Sequence, residues 1–313
     1  MKSSPIECIS TPNPYFEHDV NAYVIRGEPL TLVDTGIGDE KAWAALVQGL
    51  AKIGLRVEEI QQIILTHKHP DHFGLARRIQ RASRARVFIH EADREDILHF
   101  EEKYDESVSS TVDRLRRWGA PTQAIDSARA ALRATDGMAE SLDAEPLRQG
   151  QLLPVNGTNL DVLHTPGHTR GSICLHYGNA LLTGDHVLPQ YTPNIGGSDR
   201  SGHGLLHRFL DSLERVRALS REGLEVFPGH GPPIADLAAR VDYMIEHHRH
   251  RSQSILKILS EQKDQDTWHV ASRLFGDLQG IHVFLGLGEV DAHFEYLEDQ
   301  GEIRFSDGRY SPV

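Results

Sequence analysis

The sequence predicts an α/β protein of layered strands and helices, on three observations. Short β-branched runs alternate with apolar residues at helical spacing between residues 22 and 89. That strand pattern lapses over 91–150, where Ala, Leu and charged residues dominate, and resumes from 152 to 183 and again at 224–227. Beyond Pro233 the chain turns helical.

Taken in order, Ala22–Ile25 and Leu30–Val33 flank Arg26-Gly27-Glu28-Pro29 and form an expected hairpin. Asp34-Thr35-Gly36 breaks the second strand. Trp43, Leu46, Val47 and Leu50 mark a helix over Lys41–Ile53 that stops at Gly54. Ile60–Leu65 is a buried strand, followed by a helix (Leu75–Ala82) and a strand (Arg86–Ile89). The 91–150 stretch is a helical insertion, with helices such as Ser107–Trp118 and Gln123–Ala134. Strands follow at Leu152–Val155, Leu160–Leu163, Ser172–Leu175 and Ala180–Thr183, then a helix (Leu205–Leu219) and a strand (Leu224–Phe227). Helices near Leu237–Ser260, Thr267–Phe275 and Glu289–Gln300 precede a hairpin around Asp307-Gly308. The chain therefore divides into 1–235, carrying the insertion, and a small winged-helix-like domain at 236–313.

Composition narrows the function. The 313 residues have a formal charge of −12, and His247–Val313 holds seven Lys/Arg against eleven Asp/Glu, so nucleic acid is a poor partner. Packing or dimerisation suits the C-terminal domain better, and a homodimer is the expected assembly. No apolar run is long enough for a membrane span, and the first residues lack a signal-peptide pattern, which makes the cytoplasm the expected compartment. Two cysteines, Cys8 and Cys174, exclude a disulfide scaffold and a Cys-built zinc finger. Nineteen histidines are the unusual number.

Four of the best ligands for a borderline metal fall within six residues after a strand: His67, His69, Asp71 and His72, spaced H-x-H-x-D-H. Three further turns each place a ligand type after a strand. They are Thr165-Pro166-Gly167-His168, Leu182-Thr183-Gly184-Asp185 and Phe227-Pro228-Gly229-His230.

With Leu32-Val33-Asp34-Thr35-Gly36, these motifs make the stretch from about Val20 to Pro233 resemble the metallo-β-lactamase-fold hydrolases. The resemblance implies a four-layer αββα sandwich with two metals at one edge. His67, His69 and His168 would hold the first metal, Asp71, His72 and His230 the second, and Asp185 would bridge them. Asp34 would orient a ligand imidazole from behind. Two divalent ions, most simply Zn²⁺ but equally Fe or Mn by ligand type, would ionise a shared water. Asp71 would then guide a proton to the leaving group.

The implied reaction is hydrolysis of an ester, lactone or thioester of a small molecule, as in glyoxalase II and the acyl-homoserine lactonases. In the lactonases a Tyr supports the oxyanion, and Tyr191 is the candidate here. The alternative is an endoribonuclease or phosphodiesterase similar to the lactamase-like endoribonuclease, which also has a winged-helix-like extension. In that reading His247-His248-Arg249-His250-Arg251 is the basic patch. The 91–150 insertion is expected to be a lid or a dimer contact, and Tyr15 and Phe16 to be pocket walls.

Overall fold

The computed structural model describes residues 6–14, 18–197 and 203–313; Tyr15 and Phe16 lie outside the described residues. The N-terminal sheet has six strands in the order β1 (Ile6–Thr11), β2 (Val20–Ile25), β3 (Thr31–Val33), β4 (Gln62–Ile64), β5 (Arg86–His90) and β6 (Glu145–Leu147). Its first three strands pair antiparallel and the rest parallel. The second sheet packs β7 (Leu152–Val155), β8 (Thr158–His164), β9 (Ile173–Tyr177), β10 (Ala180–Gly184) and β11 (Glu225–Pro228), with only β10 and β11 parallel.

Helices cover both outer faces. On the first sheet lie α1 (Glu40–Lys52), the single turn α2 (Pro70–Phe73), α3 (Ala76–Ser83) and α4 (Glu91–Leu98). The insertion continues as α5 (Tyr104–Arg117) and α6 (Thr122–Arg133). On the second sheet lie α7 (Leu205–Arg217) and the first half of α8 (Leu237–Glu261). Helices α9 (Thr267–Phe275) and α10 (Ile281–Asp299) and the hairpin β12 (Ile303–Ser306) and β13 (Arg309–Pro312) complete the chain.

The period-2 geometry of the strands sorts their side chains between layers. Tyr23, Ile25, Val33, Ile64 and Phe88 point into the space between the sheets, where they meet Leu160, Val162, Ile173, Leu175 and Leu182. The alternate residues Ala22, Val24, Leu32, Ile63, Val87 and Ile89 point outward onto α1 and α3. On the far side Cys174, Leu181 and Val226 face α7 and α8. Strands covered on both faces read as unbroken apolar runs, which is why they were visible in the sequence. Helix α1 shows the local logic: the Asp39 carboxylate caps it by accepting from Ala42 N (2.7 Å), and Ala42, Leu46 and Leu50 form its buried stripe. Truncating Leu46 to Ala would cost about 2–5 kcal/mol.

Three elements differ from the sequence expectation. Strand β1 was not expected; its charged and polar residues alternate with Ile6 and Ile9 too briefly to announce an edge strand. Strand β6 closes the insertion, where only helices were expected, because a three-residue strand carries no pattern of its own. Helix α10 starts at Ile281 rather than Glu289, since Gly286 and Gly288 are buried contact points on its packed face and hide its periodicity.

The insertion packs against the C-terminal helices. Val112, Leu115, Trp118, Ile125 and Ala128 of α5, α6 and their junction share a core with Ile255, Val270, Leu287, Val290 and Phe294 of α8–α10. Trp118 ties it further, donating from Nε1 to Asp291 (2.9 Å). Among the described residues no helix is long and apolar enough to cross a membrane.

Candidate metal centre

All seven expected ligand residues meet at one edge of the sandwich, on turns that leave β4, β8, β10 and β11. After β4 the chain runs through Thr66 to His69, and the turn α2, started by Pro70, aims Asp71 and His72 inward. Across the sheets, Asp185 follows β10 directly. His230 follows β11 in a turn where a Cβ on Gly229 would lie 2.3 Å from Asp185 Oδ1, so only glycine fits beside that carboxylate.

Two groups of donors result. His69 Nδ1 lies 3.0 Å from His67 Nε2 and 2.9 Å from His168 Nε2. In the second group His72 Nε2 is 3.3 Å from His230 Nε2, and Asp71 Oδ2 is 3.5 Å from His230 Nε2. Asp185 stands between them, with Oδ2 3.6 Å from His168 Nε2 and 3.4 Å from His230 Nε2, and Oδ1 3.3 Å from His72 Nε2. Each group of three can place its ligand atoms around one ion.

Four of the nitrogens facing away from the centre are held by neighbouring protein atoms. Asp34 accepts from His72 Nδ1 (2.8 Å), the Asp19 carbonyl from His230 Nδ1 (3.0 Å) and the Asn194 carbonyl from His168 Nδ1 (2.9 Å). Thr66 Oγ1 lies 3.0 Å from His67 Nδ1. A neutral ring that donates through Nδ1 presents a lone pair at Nε2. The Nε2 atoms of His72 and His230 are therefore lone pairs facing each other unless a proton or a cation lies between. Asp185 Oδ1 is buried without a hydrogen-bond partner. Facing lone pairs and an orphaned carboxylate oxygen are the donor set a pair of divalent cations satisfies.

Electrostatics separates the groups. Burial holds His67, His69 and His168 below the usual imidazole range, so they are neutral donors. Burial acts the same way on His72 and His230, but the surrounding carboxylates, Asp185 foremost, outweigh it; His230 is raised to about 9 and His72 also rises. Asp185 is pulled down against burial by His230 and His72.

Asp34 stands behind His72 on a left-handed backbone (φ 57°). Its carboxylate accepts from Thr66 N and Thr66 Oγ1 (2.8 and 2.7 Å) as well as from His72, joining the ends of β3 and β4. Sequence reasoning missed two comparable residues. Asn13 donates to Asp71 Oδ2 (3.1 Å). Asp93, fully buried on α4, accepts from Lys68 N (3.1 Å), Thr169 Oγ1 (2.6 Å) and Gly171 N (2.8 Å), stapling the His67–His72 turn to the His168 turn. An acid in a charged helix has no local signal for such a role.

Tyr191 is half-buried and stacks on His18 (5.3 Å between rings), next to Asp19, whose carbonyl holds His230. A cleft of about 430 Å³ lined by Ser10, His18, Asp19, Asn21 and Gly231 lies on that side. His186 is a packed histidine against Phe209, lowered to about 3 by burial. The expected basic patch is spent internally: Arg249 and His250 pair with Glu246, and Arg251 pairs with Glu289 (3.1 Å). His248, Glu289 and His293 also cluster, but Arg251 already compensates Glu289, and His293 is held by Ser252 (2.9 Å).

The architecture and the donor set define a metal-dependent hydrolase class, and comparison with known proteins agrees. The family model described as the metallo-beta-lactamase superfamily matches residues 15–233, and the chain belongs to that superfamily. It is 28% identical over 320 residues to the probable metallo-hydrolase YqjP of Bacillus subtilis, covering 97% of this chain and 95% of that one. A metallo-beta-lactamase family protein of Thermus thermophilus, TTHA1429, shares its structure with a TM-score of 0.83 at 30% identity, over 99% of both chains. An atrochrysone carboxyl ACP thioesterase of Aspergillus fumigatus is 25% identical over 249 residues, 78% of this chain and 45% of the thioesterase.

Proposed function

We propose that this protein is a two-metal hydrolase that opens a thioester, ester or lactone carbonyl of a small molecule. The observation that carries it is the pair of facing donor groups with Asp185 between them. His67, His69 and His168 would hold one ion and Asp71, His72 and His230 the other. Zn²⁺ is the simplest occupant, and Fe or Mn would accept the same ligands. When bound, such a pair lowers the pKa of water towards about 7 and polarises a carbonyl oxygen.

The chain's own residues do the rest. The outer partners Asp34, Asp19, Asn194 and Thr66 keep the imidazoles of His72, His230, His168 and His67 at a fixed angle and tautomer. Asp71, held by Asn13, stands to receive a proton and pass it to the leaving group. Tyr191, on the His18 side of the cleft, is the hydroxyl assigned to the developing oxyanion. The thioesterase relative supports the thioester as the first substrate to try. The C-terminal helices and hairpin serve packing in this reading, because Arg249, Arg251 and Arg273 are paired with carboxylates and the net charge of the region is negative; the endoribonuclease alternative lacks a basic surface to rest on.

The test is a panel of acyl thioesters, esters, lactones and a single-stranded RNA, assayed with metal-loaded protein and with His69→Ala. The expected outcome is turnover of a carbonyl substrate that falls by more than about 100-fold in His69→Ala, a ligand loss exceeding the usual cost of losing a ligand's outer partner. Cleavage of RNA alone would reverse the choice of substrate class.

A further inference from the structure

Asn194 lies in the loop after β10 and faces two ways. Its carbonyl accepts from His168 Nδ1 (2.9 Å). Its side-chain Nδ2 donates to the Leu285 carbonyl (2.9 Å) and to Glu289 Oε2 (3.2 Å), both on α10, while its Oδ1 accepts from Gly197 N (3.2 Å). The loop lies so close to α10 that a Cβ on Gly288 would sit 2.5 Å from Gly197 Cα. Arg114 of α5 donates to the Gly197 carbonyl (2.7 Å) from a third direction. Arg251 of α8 lies 3.1 Å from the Glu289 carboxylate and holds that acceptor in place.

We propose that Asn194 is a positioning residue through which α10 sets the orientation of His168 in the metal centre. A carbonyl in a surface loop is normally free to rotate with its peptide, and a ligand imidazole tied to it would inherit that freedom. Here the peptide is anchored by the side chain of the same residue to a buried helix, so His168 keeps Nδ1 protonated and Nε2 directed at His67 and His69. The C-terminal region, 236–313, thereby takes part in the site without contacting it. The same bonds explain the glycine at 288: any larger residue would push the loop, and with it His168, off its mark. This inference rests on the metal-centre reading above.

Zn²⁺ affinity of the full-length protein, read by competition with a chromophoric chelator, tests it. Wild-type protein is expected to take up two equivalents; no uptake would overturn the metal centre itself and this inference with it. Asn194→Ala is expected to weaken one equivalent several-fold, up to about tenfold, and leave the other, because the carbonyl that holds His168 remains but loses the anchor that aims it. Trp118→Phe serves as the control, because it removes the hydrogen bond from the end of α5 to Asp291 of α10 while keeping an aromatic ring beneath Arg114, and it should leave both affinities unchanged. Wild-type affinity in Asn194→Ala, or an equal loss in Trp118→Phe, overturns the role of Asn194 while leaving the metal centre standing. A second reading needs no variant: imidazole ¹H–¹⁵N spectra of metal-free wild-type protein should show His168 as the Nδ1–H tautomer, and an Nε2–H tautomer overturns the proposal even if Asn194→Ala does not fold.

Discussion

The two donor groups are close neighbours, with the rings of His67 and His72, one from each, 4.2 Å apart, yet they are supported by different chemistry. His67 and His168 are backed by neutral partners, a threonine hydroxyl and a peptide carbonyl, and burial keeps all three of His67, His69 and His168 neutral. His72 and His230 sit among Asp34, Asp71 and Asp185, and in the metal-free protein protons balance that negative charge. The first group is thus already in its metal-binding protonation state, whereas the second must exchange protons for a cation. Separation of the two sides follows from where the carboxylates fall, since every imidazole in the centre is well buried except His69, which is partly so.

The pH dependence of metal binding sharpens this contrast most. His230 titrates near 9 without metal, so from about pH 9 down to about pH 6 the proton competes increasingly well for it. Affinity of the second group should fall about tenfold or more per pH unit over that window, while the first group stays nearly flat. Chelator competition at several pH values reads both slopes, and parallel slopes would break the distinction. Next in size is Asp34→Ala, which removes the carboxylate behind His72. It should weaken the second equivalent about 10- to 100-fold and the first by less, because Thr66, which backs His67, also bonds to Asp34, as measured in the same titration. Smallest is Arg86→Ala on β5, whose partner Glu145 is on β6. That pair lies in water, so unfolding stability should change by less than about 1 kcal/mol and neither metal affinity should move.

Much of the centre was legible from the chain because its ligands are concentrated in short turns at strand ends. H-x-H-x-D-H supplies four donors from one turn, and the glycines around His168, Asp185 and His230 mark tight turns where a side chain must be exposed to the site. The layers were legible too: Ala22–Ile25 and Ile63–Leu65 are apolar at every position, as strands buried on both faces must be. Asp93 and Asn194 were not legible. Each acts through hydrogen bonds to loops distant in sequence, and nothing in the residues beside them distinguishes a buried anchor from a solvated polar group. The packing partner of the insertion was not legible for a related reason. The apolar stripes on α5 and α6 announced that they would be buried, but a stripe does not name its partner, and only the shared core with α8–α10 does.

The amino-acid sequence by itself determined the strand order of chemistry: which side chains can bind a metal, on which turns, and between which two-sided strands. Local patterns suffice for that, because periodicity, glycine turns and ligand spacing act over a few residues. Tertiary structure decided how those ligands are held and charged. Asp34 joins turns within the first sheet and Asp93 staples one of them to the second, Asn194 connects His168 to a helix 91 residues beyond Asn194 itself, and carboxylates from separate strands set which imidazoles carry protons. Such effects depend on distance and burial in three dimensions, and neither can be read from neighbours along the chain.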